Sequence, residues 1–239
     1  MTEHTLVDVE PHENQNNKQR LRVIVLDYDQ TLVDNTVDFY EAYCGAMRYY
    51  GTSCLLFNDF LKLLRTNNLD RAIPRGVSPE EFFRVFRRLY LSRHSSLQPG
   101  VREFLVLMKA FNVKIIVVSG RETPSWYIVW DLNRHGLMEF IDDVLTLNDM
   151  TRLGLEENFL FDKSGLIKYA LGKHGVSGGV VCIGDYVTDY YSCISIGGVF
   201  IGLNKYSERN SELEKAGVKM LARDFHEVLV LLSQNGFLA

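Results

Sequence analysis

The sequence predicts a three-layer α/β protein whose parallel sheet is interrupted early by an all-helical insertion. Three observations carry that expectation. Short apolar runs alternate with amphipathic stretches along most of the chain, the pattern of strands buried on both faces between covering helices. One long stretch, 35–97, breaks the alternation with helical patterns and no convincing strand. Carboxylates stand where two of the apolar runs end, and the carboxyl ends of strands are where open α/β sheets hold ligands.

Taken in order, the first twenty residues mix His, Asn, Gln and both signs of charge without an apolar centre. They read as a disordered tail and lack the form of a secretory signal. The run 23–26 is the first strand, short and rich in β-branched residues. Helical patterns follow at 37–49, 55–64 and 79–93. The last has a strong start: Ser78 as N-cap, Pro79 at the first helical position and Glu81 three residues after the cap. Pro99 and Gly100 mark the return to the core. A helix over 101–111 sets Val101, Phe104, Leu105, Met108 and Phe111 on one face. Strands at 114–118, 143–147, 179–183 and 198–203 then alternate with helices at 124–135 and 164–174, which Gly136 and Gly175 stop. The expected organisation is a core of 21–34 and 98–239 with 35–97 inserted.

A chain of 239 residues, 46% hydrophobic, can build one large domain or a domain with an insertion. No apolar run approaches the roughly 20 residues of a membrane span. The formal charge of −4 offers nothing global to attract nucleic acid or a membrane. Cys44, Cys54, Cys182 and Cys193 fall at no metal-ligand spacing. They are expected as reduced thiols, two of them within apolar segments, in a reducing, cytoplasmic setting.

The most informative chemistry sits at the strand ends. Asp27 and Asp29 follow the first strand at i, i+2, so in an extended segment they share a face and repel each other unless a cation is near. An oxygen-only site suits a hard ion such as Mg2+. Ser119 and Gly120 follow the strand 114–118, where a hydroxyl and a neighbouring N–H can hold an anion. Lys163 precedes a helix. A further strand ends in Gly184 and Asp185, with Asp189 four residues on.

These four segments, in this order, resemble the four-part signature of the haloacid dehalogenase (HAD) superfamily, most of whose members are phosphohydrolases. The resemblance spans about 21–203 and implies a Rossmann-like core with a helical cap of the C1 type. It implies Asp27 as a nucleophile forming an aspartyl-phosphate and Asp29 as acid and base. Asp29 would meet Mg2+ through its backbone carbonyl, leaving its carboxyl free. By the same resemblance Asp27 and Asp185 hold Mg2+, while Ser119, Gly120 and Lys163 bind the phosphoryl group and Thr31 and Asp189 support the site. Lys168 and Lys173, substitutes for Lys163, would lie inside or at the end of the helix. Gln30 stands where many relatives have glycine.

The implied activity is Mg2+-dependent hydrolysis of a small phosphate monoester. A phosphomutase of the same superfamily and a catalytically silent phospho-ligand binding module remain as alternatives. Trehalose-phosphate phosphatases carry their cap after the second motif, and response-regulator receivers have no helical insertion, so both are set aside. In the insertion, Arg84, Arg87 and Arg88 read as a solvated helix face. Arg71 and Arg75, between helices, are better placed to touch an anionic substrate. His135 and His174 sit at helix ends, where a cation complements the dipole, and are given no catalytic role.

Overall fold

The computed structural model describes residues 20–238 apart from Ser92 and Lys205; the expected tail, but for Arg20, lies outside the described residues. Its centre is a six-stranded parallel sheet built from β1 (Val23–Leu26), β4 (Lys114–Ser119), β5 (Asp143–Thr146), β6 (Val180–Gly184), β7 (Val199–Leu203) and β8 (Met220–Ala222). The strand order is β5-β4-β1-β6-β7-β8, with every pair parallel. β8 was not foreseen, because three residues are too few to show a pattern.

The period-2 alternation of the strands sorts their side chains onto two faces. Ile24 and Leu26 pack with Phe104 and Leu105 of α4 (Val101–Ala110), Ile128 of α5 (Trp126–Arg134) and Phe225 of α10 (Phe225–Gln234). Val23 and Val25 point the other way. They pack with Met150 of α6 (Asn148–Leu153), Leu166 of α7 (Ser164–Lys173), Cys193 of α8 (Val187–Ile194) and Leu213 of α9 (Ser207–Ala216). Burial on both faces explains why these strands read as continuous apolar runs.

Between β1 and β4 lie α1 (Thr36–Tyr49), α2 (Phe57–Arg65) and α3 (Pro79–Leu89). They share an apolar core of their own that includes Tyr43, Phe60, Leu64, Phe82 and Phe86. The Ser78 and Glu81 capping box forms in both directions, at 3.2 and 3.0 Å. α3 stops at Leu89, four residues short of the expected end, because Tyr90 turns into the interior with extended backbone. The following amides of Arg93 and His94 then donate to the Asp38 carboxylate. A two-residue antiparallel ribbon, β2 (Val33–Asp34) with β3 (Ser96–Leu97), joins the ends of the helical segment. β3 corrects the expectation of no strand within 35–97, since strands this short leave no periodic signal.

The cysteines also depart from expectation. They form two disulfides, Cys44–Cys54 in the helical segment and Cys182–Cys193 between β6 and α8, with Cα atoms 4.9 and 6.0 Å apart. Partners ten and eleven residues apart are brought together by folding, which spacing alone could not reveal. This pairing removes the sequence argument for a reducing compartment. Among the described residues, no helix is long and apolar enough to cross a membrane.

Candidate active site

Parallel register assembles the site. Leu26 pairs with Val117 on one side and Ile183 on the other, so β1, β4 and β6 end nearly level. Asp27 leaves β1 with its N–H donated to the Ile183 carbonyl at 2.9 Å, Ser119 closes β4, and Asp185 follows β6. Tyr28 turns the opposite way, its hydroxyl bonded to Asp131 in the core. The tight turn after it puts Gln30 at φ +65°, a left-handed conformation that glycine adopts at less cost. Gln30 is held there by hydrogen bonds with Asn35, Thr36 and Gln98.

Asp27, Asp185 and Asp189 each offer a carboxylate oxygen within 4.8 Å of the others, and all three are buried. Lys163 is buried among them, its Nζ donating to Asp27 and, at 2.6 Å, to Asp189. Burial opposes its charge, but Asp189 and Asp27 outweigh that and hold the ammonium well above the usual lysine range. Burial, reinforced by Asp189 and Asp185 against the pull of Lys163, lifts the Asp27 carboxyl well above the usual carboxylate range. Burial likewise raises Asp185 to about 6, although Arg209 pulls it down. An oxygen-only cluster of buried acids, two of them resisting ionisation, has the composition that a hard divalent cation requires. The residues therefore fit such an ion. Gly184 is needed here because a Cβ would meet the Asp189 carboxylate at 2.6 Å.

Asp29 sits two residues from Asp27 in a different setting. Arg121 Nε donates to both its oxygens at 2.9 and 3.1 Å, with Nη2 also bonded to Oδ1. Ser119 Oγ donates to it at 3.0 Å and Asn35 Nδ2 at 2.6 Å. Arg121 is almost wholly buried, its guanidinium over the rings of Tyr90 and Tyr28. The expectation of a free Asp29 carboxyl is thus corrected: a fork-shaped cation beside a carboxylate makes a two-pronged pair. The Ser119 hydroxyl, expected to face a phosphoryl oxygen, is buried and spent on Asp29. Thr31 is also fully buried.

A cavity of about 120 Å³ opens over these groups, lined by Asp27, Asp29, Gly120, Lys163, Asp185 and Asp189 among others. It brings the sequence-selected acids, glycine and lysine together; Lys168 and Lys173 are exposed. Arg71 and Arg75 are exposed too and do not line the cavity. The short turn Leu69–Ala72 buries Leu69 and leaves Arg71 facing solvent. Arg87, read as part of a solvated face, is instead 1% exposed and lines the cavity. It pairs with Glu122 and Glu157, each at 2.7 Å. Arg209 had no sequence signal, coming from a polar helix far along the chain. It bonds Asp185 Oδ2 at 2.6 Å and reaches across to the Leu64 carbonyl of α2 at 2.7 and 3.0 Å.

The parallel sheet, with buried acids and a lysine gathered at its carboxyl edge, defines a Rossmann-like α/β protein with an anionic site where such sheets hold ligands. A family model for haloacid dehalogenase-like hydrolases matches residues 24–192, and the chain belongs to that family. No curated protein matches it. Among solved structures it is similar to a predicted phosphoglycolate phosphatase from Haemophilus somnus 129PT, with 21% identity, TM-score 0.64, and 88% of this chain and 97% of that one covered. A predicted phosphatase from Clostridium acetobutylicum gives 15% identity and TM-score 0.68 over 90% and 99% of the two chains. A HAD-superfamily hydrolase from Ehrlichia chaffeensis gives 16% and 0.62 over 91% and 98%. At these identities the likeness is one of fold.

Proposed function

We propose that the protein is a Mg2+-dependent phosphatase that hydrolyses a small phosphate monoester through an aspartyl-phosphate on Asp27. The observation that carries this reading is the buried Asp27 carboxylate, which lines the cavity beside Lys163 and the acids Asp185 and Asp189. Asp27, Asp185 and the Asp29 carbonyl would hold Mg2+, with Asp189 in support. When bound, the ion would supply positive charge against the phosphoryl oxygens.

An Asp27 oxygen attacks phosphorus while the bond to the leaving alcohol breaks; water then attacks the aspartyl-phosphate and restores the carboxylate. Lys163 steadies the Asp27 carboxylate and the transferring group. The Gly120 backbone borders the cavity, where its N–H serves the phosphoryl oxygens. Asp29 gives a proton to the leaving oxygen and later takes one from water. Its clamp of Arg121, Ser119 and Asn35 orients the carboxyl, so proton work there requires one of these contacts to loosen. The helical segment 35–97 acts as a cap that keeps water from the site.

The test is hydrolysis of p-nitrophenyl phosphate with and without Mg2+, together with the thermal shift produced by BeF3⁻ and Mg2+, a mimic of the acyl-phosphate. Turnover and a shift that both vanish in Asp27→Asn are expected. Turnover that survives in Asp27→Asn rejects the mechanism. A Mg2+-dependent BeF3⁻ shift without hydrolysis would point to a silent binding module.

A further inference from the structure

The groups that receive the phosphoryl moiety occupy only part of the cavity wall. The remainder includes Phe39, Phe83, Phe86, Tyr90, Phe161 and Tyr186. The phenylalanines are close enough to act as one surface: Phe39 and Phe86 have centroids 4.6 Å apart, Phe83 and Phe86 6.0 Å, and Phe83 and Phe161 6.2 Å. Aromatic pairs at these spacings prefer tilted or edge-on contact, and a further ring can join them on the same terms.

Phe161 is the most telling of these residues. Its backbone lies at φ +66°, a conformation that costs a bulky side chain free energy and persists only where surroundings enforce it. Here they do. The Phe161 N–H donates to Glu157 Oε1 at 2.9 Å, and Glu157 is itself held by Arg87, whose guanidinium lies 4.9 Å from the Phe161 ring centroid. The ring is pressed so closely onto the turn after β4 that a Cβ on Gly120 would stand 2.9 Å from it. The fold therefore keeps an aromatic ring in a strained position beside the phosphoryl-binding turn.

Charge points the same way. Every described cation lining the cavity already faces carboxylates: Lys163 faces Asp27 and Asp189, Arg121 faces Asp29, Arg87 faces Glu122 and Glu157, and Arg209 faces Asp185. A second anionic group on the substrate would have to break one of these pairs or be desolvated without a partner, and both are costly. The whole cavity measures about 120 Å³ and must also take the phosphoryl group, so it encloses no leaving group larger than the single ring that a cavity of about 150 Å³ admits.

We propose that the leaving group of the substrate is uncharged and apolar, of single-ring size, and packed against Phe161 and Phe83; this rests on the phosphatase reading above. Phosphorylated acids and bisphosphates are then poor substrates. Phe161 and Phe83 are specificity-determining residues.

The experiment compares kcat/KM, with Mg2+ present, for benzyl phosphate, 4-carboxybenzyl phosphate, phosphoglycolate and ethyl phosphate, with p-nitrophenyl phosphate as the control for catalysis. Benzyl phosphate should exceed its carboxylated analogue and phosphoglycolate by at least about tenfold. Phe161→Ala and Phe83→Ala should each lower the ratio of benzyl to ethyl phosphate by about fivefold or more. That ratio is insensitive to a partly folded preparation. Hydrolysis of p-nitrophenyl phosphate with equal or better use of phosphoglycolate or 4-carboxybenzyl phosphate overturns the inference and leaves the phosphatase reading standing. Unchanged ratios in both variants also overturn it. Absence of hydrolysis of every ester, p-nitrophenyl phosphate included, overturns both.

Discussion

Asp27 and Asp29 are two residues apart in one turn, yet they belong to opposite electrostatic regions. Asp27 shares its oxygen-rich pocket with Asp185 and Asp189, so burial and like charge make ionisation costly despite Lys163. Asp29 faces β4, where Arg121, Ser119 and Asn35 satisfy its oxygens. The first region has the oxygen-only composition that suits a hard cation; in the second the carboxylate is already paired with an arginine. Two acids of one turn thus meet different partners: Asp27 meets Lys163 beside the other buried acids, while Asp29 is oriented by Arg121 and Ser119 at the end of β4 and by Asn35 before α1.

The largest effects should separate the two regions. Asp27→Asn should cut Mg2+-dependent hydrolysis of p-nitrophenyl phosphate by about 10³-fold or more, as loss of a covalent nucleophile does. Chemical denaturation should find its stability near or above wild type, since a buried acid that resists ionisation has been neutralised. Arg121→Met should do the reverse first. Breaking a buried pair and stranding one partner costs about 3–5 kcal/mol, read as a fall in the denaturation midpoint. Adding Asp29→Asn to Arg121→Met should recover part of that loss. If Asp27→Asn destabilises the fold as much as Arg121→Met, the contrast between the regions is false.

The contrast also explains what the sequence made legible. Strands buried on both faces announce themselves as apolar runs, and acids that follow them are conspicuous, so Asp27, Asp29, Asp185 and the strands beneath them could be read directly. Arg121 was visible beside Ser119, but its partner is set by the turn that holds Gln30 at φ +65°. Arg209 and Phe161 act through tertiary approach alone: one comes from a polar helix, the other from a loop strained into place. The same holds for β8, the β2 and β3 ribbon and both disulfides. Local periodicity carried the longer strands and the helices up to α5 and α7, but α6, α9 and α10 were not foreseen, and long-range pairing leaves no trace at that scale.

A pH experiment sharpens the acid-rich region. The folded Asp185 carboxyl is raised from 3.8 to about 6. The metal-free folded state therefore holds the extra proton across that window, and this contribution to stability is present at low pH and lost as pH rises through about 6. A divalent cation needs the carboxylate, so it competes with the proton below that window and restores the lost stability above it. The melting-temperature rise caused by Mg2+ should be several degrees larger at pH 7 than at pH 5. Asp185→Asn should weaken Mg2+ binding by about tenfold and flatten the pH dependence of the shift. A shift that is equal at both pH values, or unchanged in Asp185→Asn, removes that residue from the cation site.

The smallest effect concerns the arginines of the helical segment, where the contrast becomes one of exposure. Arg71 and Arg75 face solvent outside the cavity lining, so their charges are screened by water and salt. Arg71→Ala and Arg75→Ala should each change kcat/KM for the preferred ester by less than about twofold, within the range of exposed substitutions. Arg87 lies in the same segment but is buried, joining α3 to Glu122 and Glu157 and supporting Phe161. Arg87→Met should therefore raise KM where the exposed arginines do not, because the aromatic wall loses the cation stacked on it and two carboxylates lose their partner. A KM that rises in Arg71→Ala or Arg75→Ala and stays level in Arg87→Met would mean that the helical segment meets substrate through its outer loop and that the buried network is scaffolding alone.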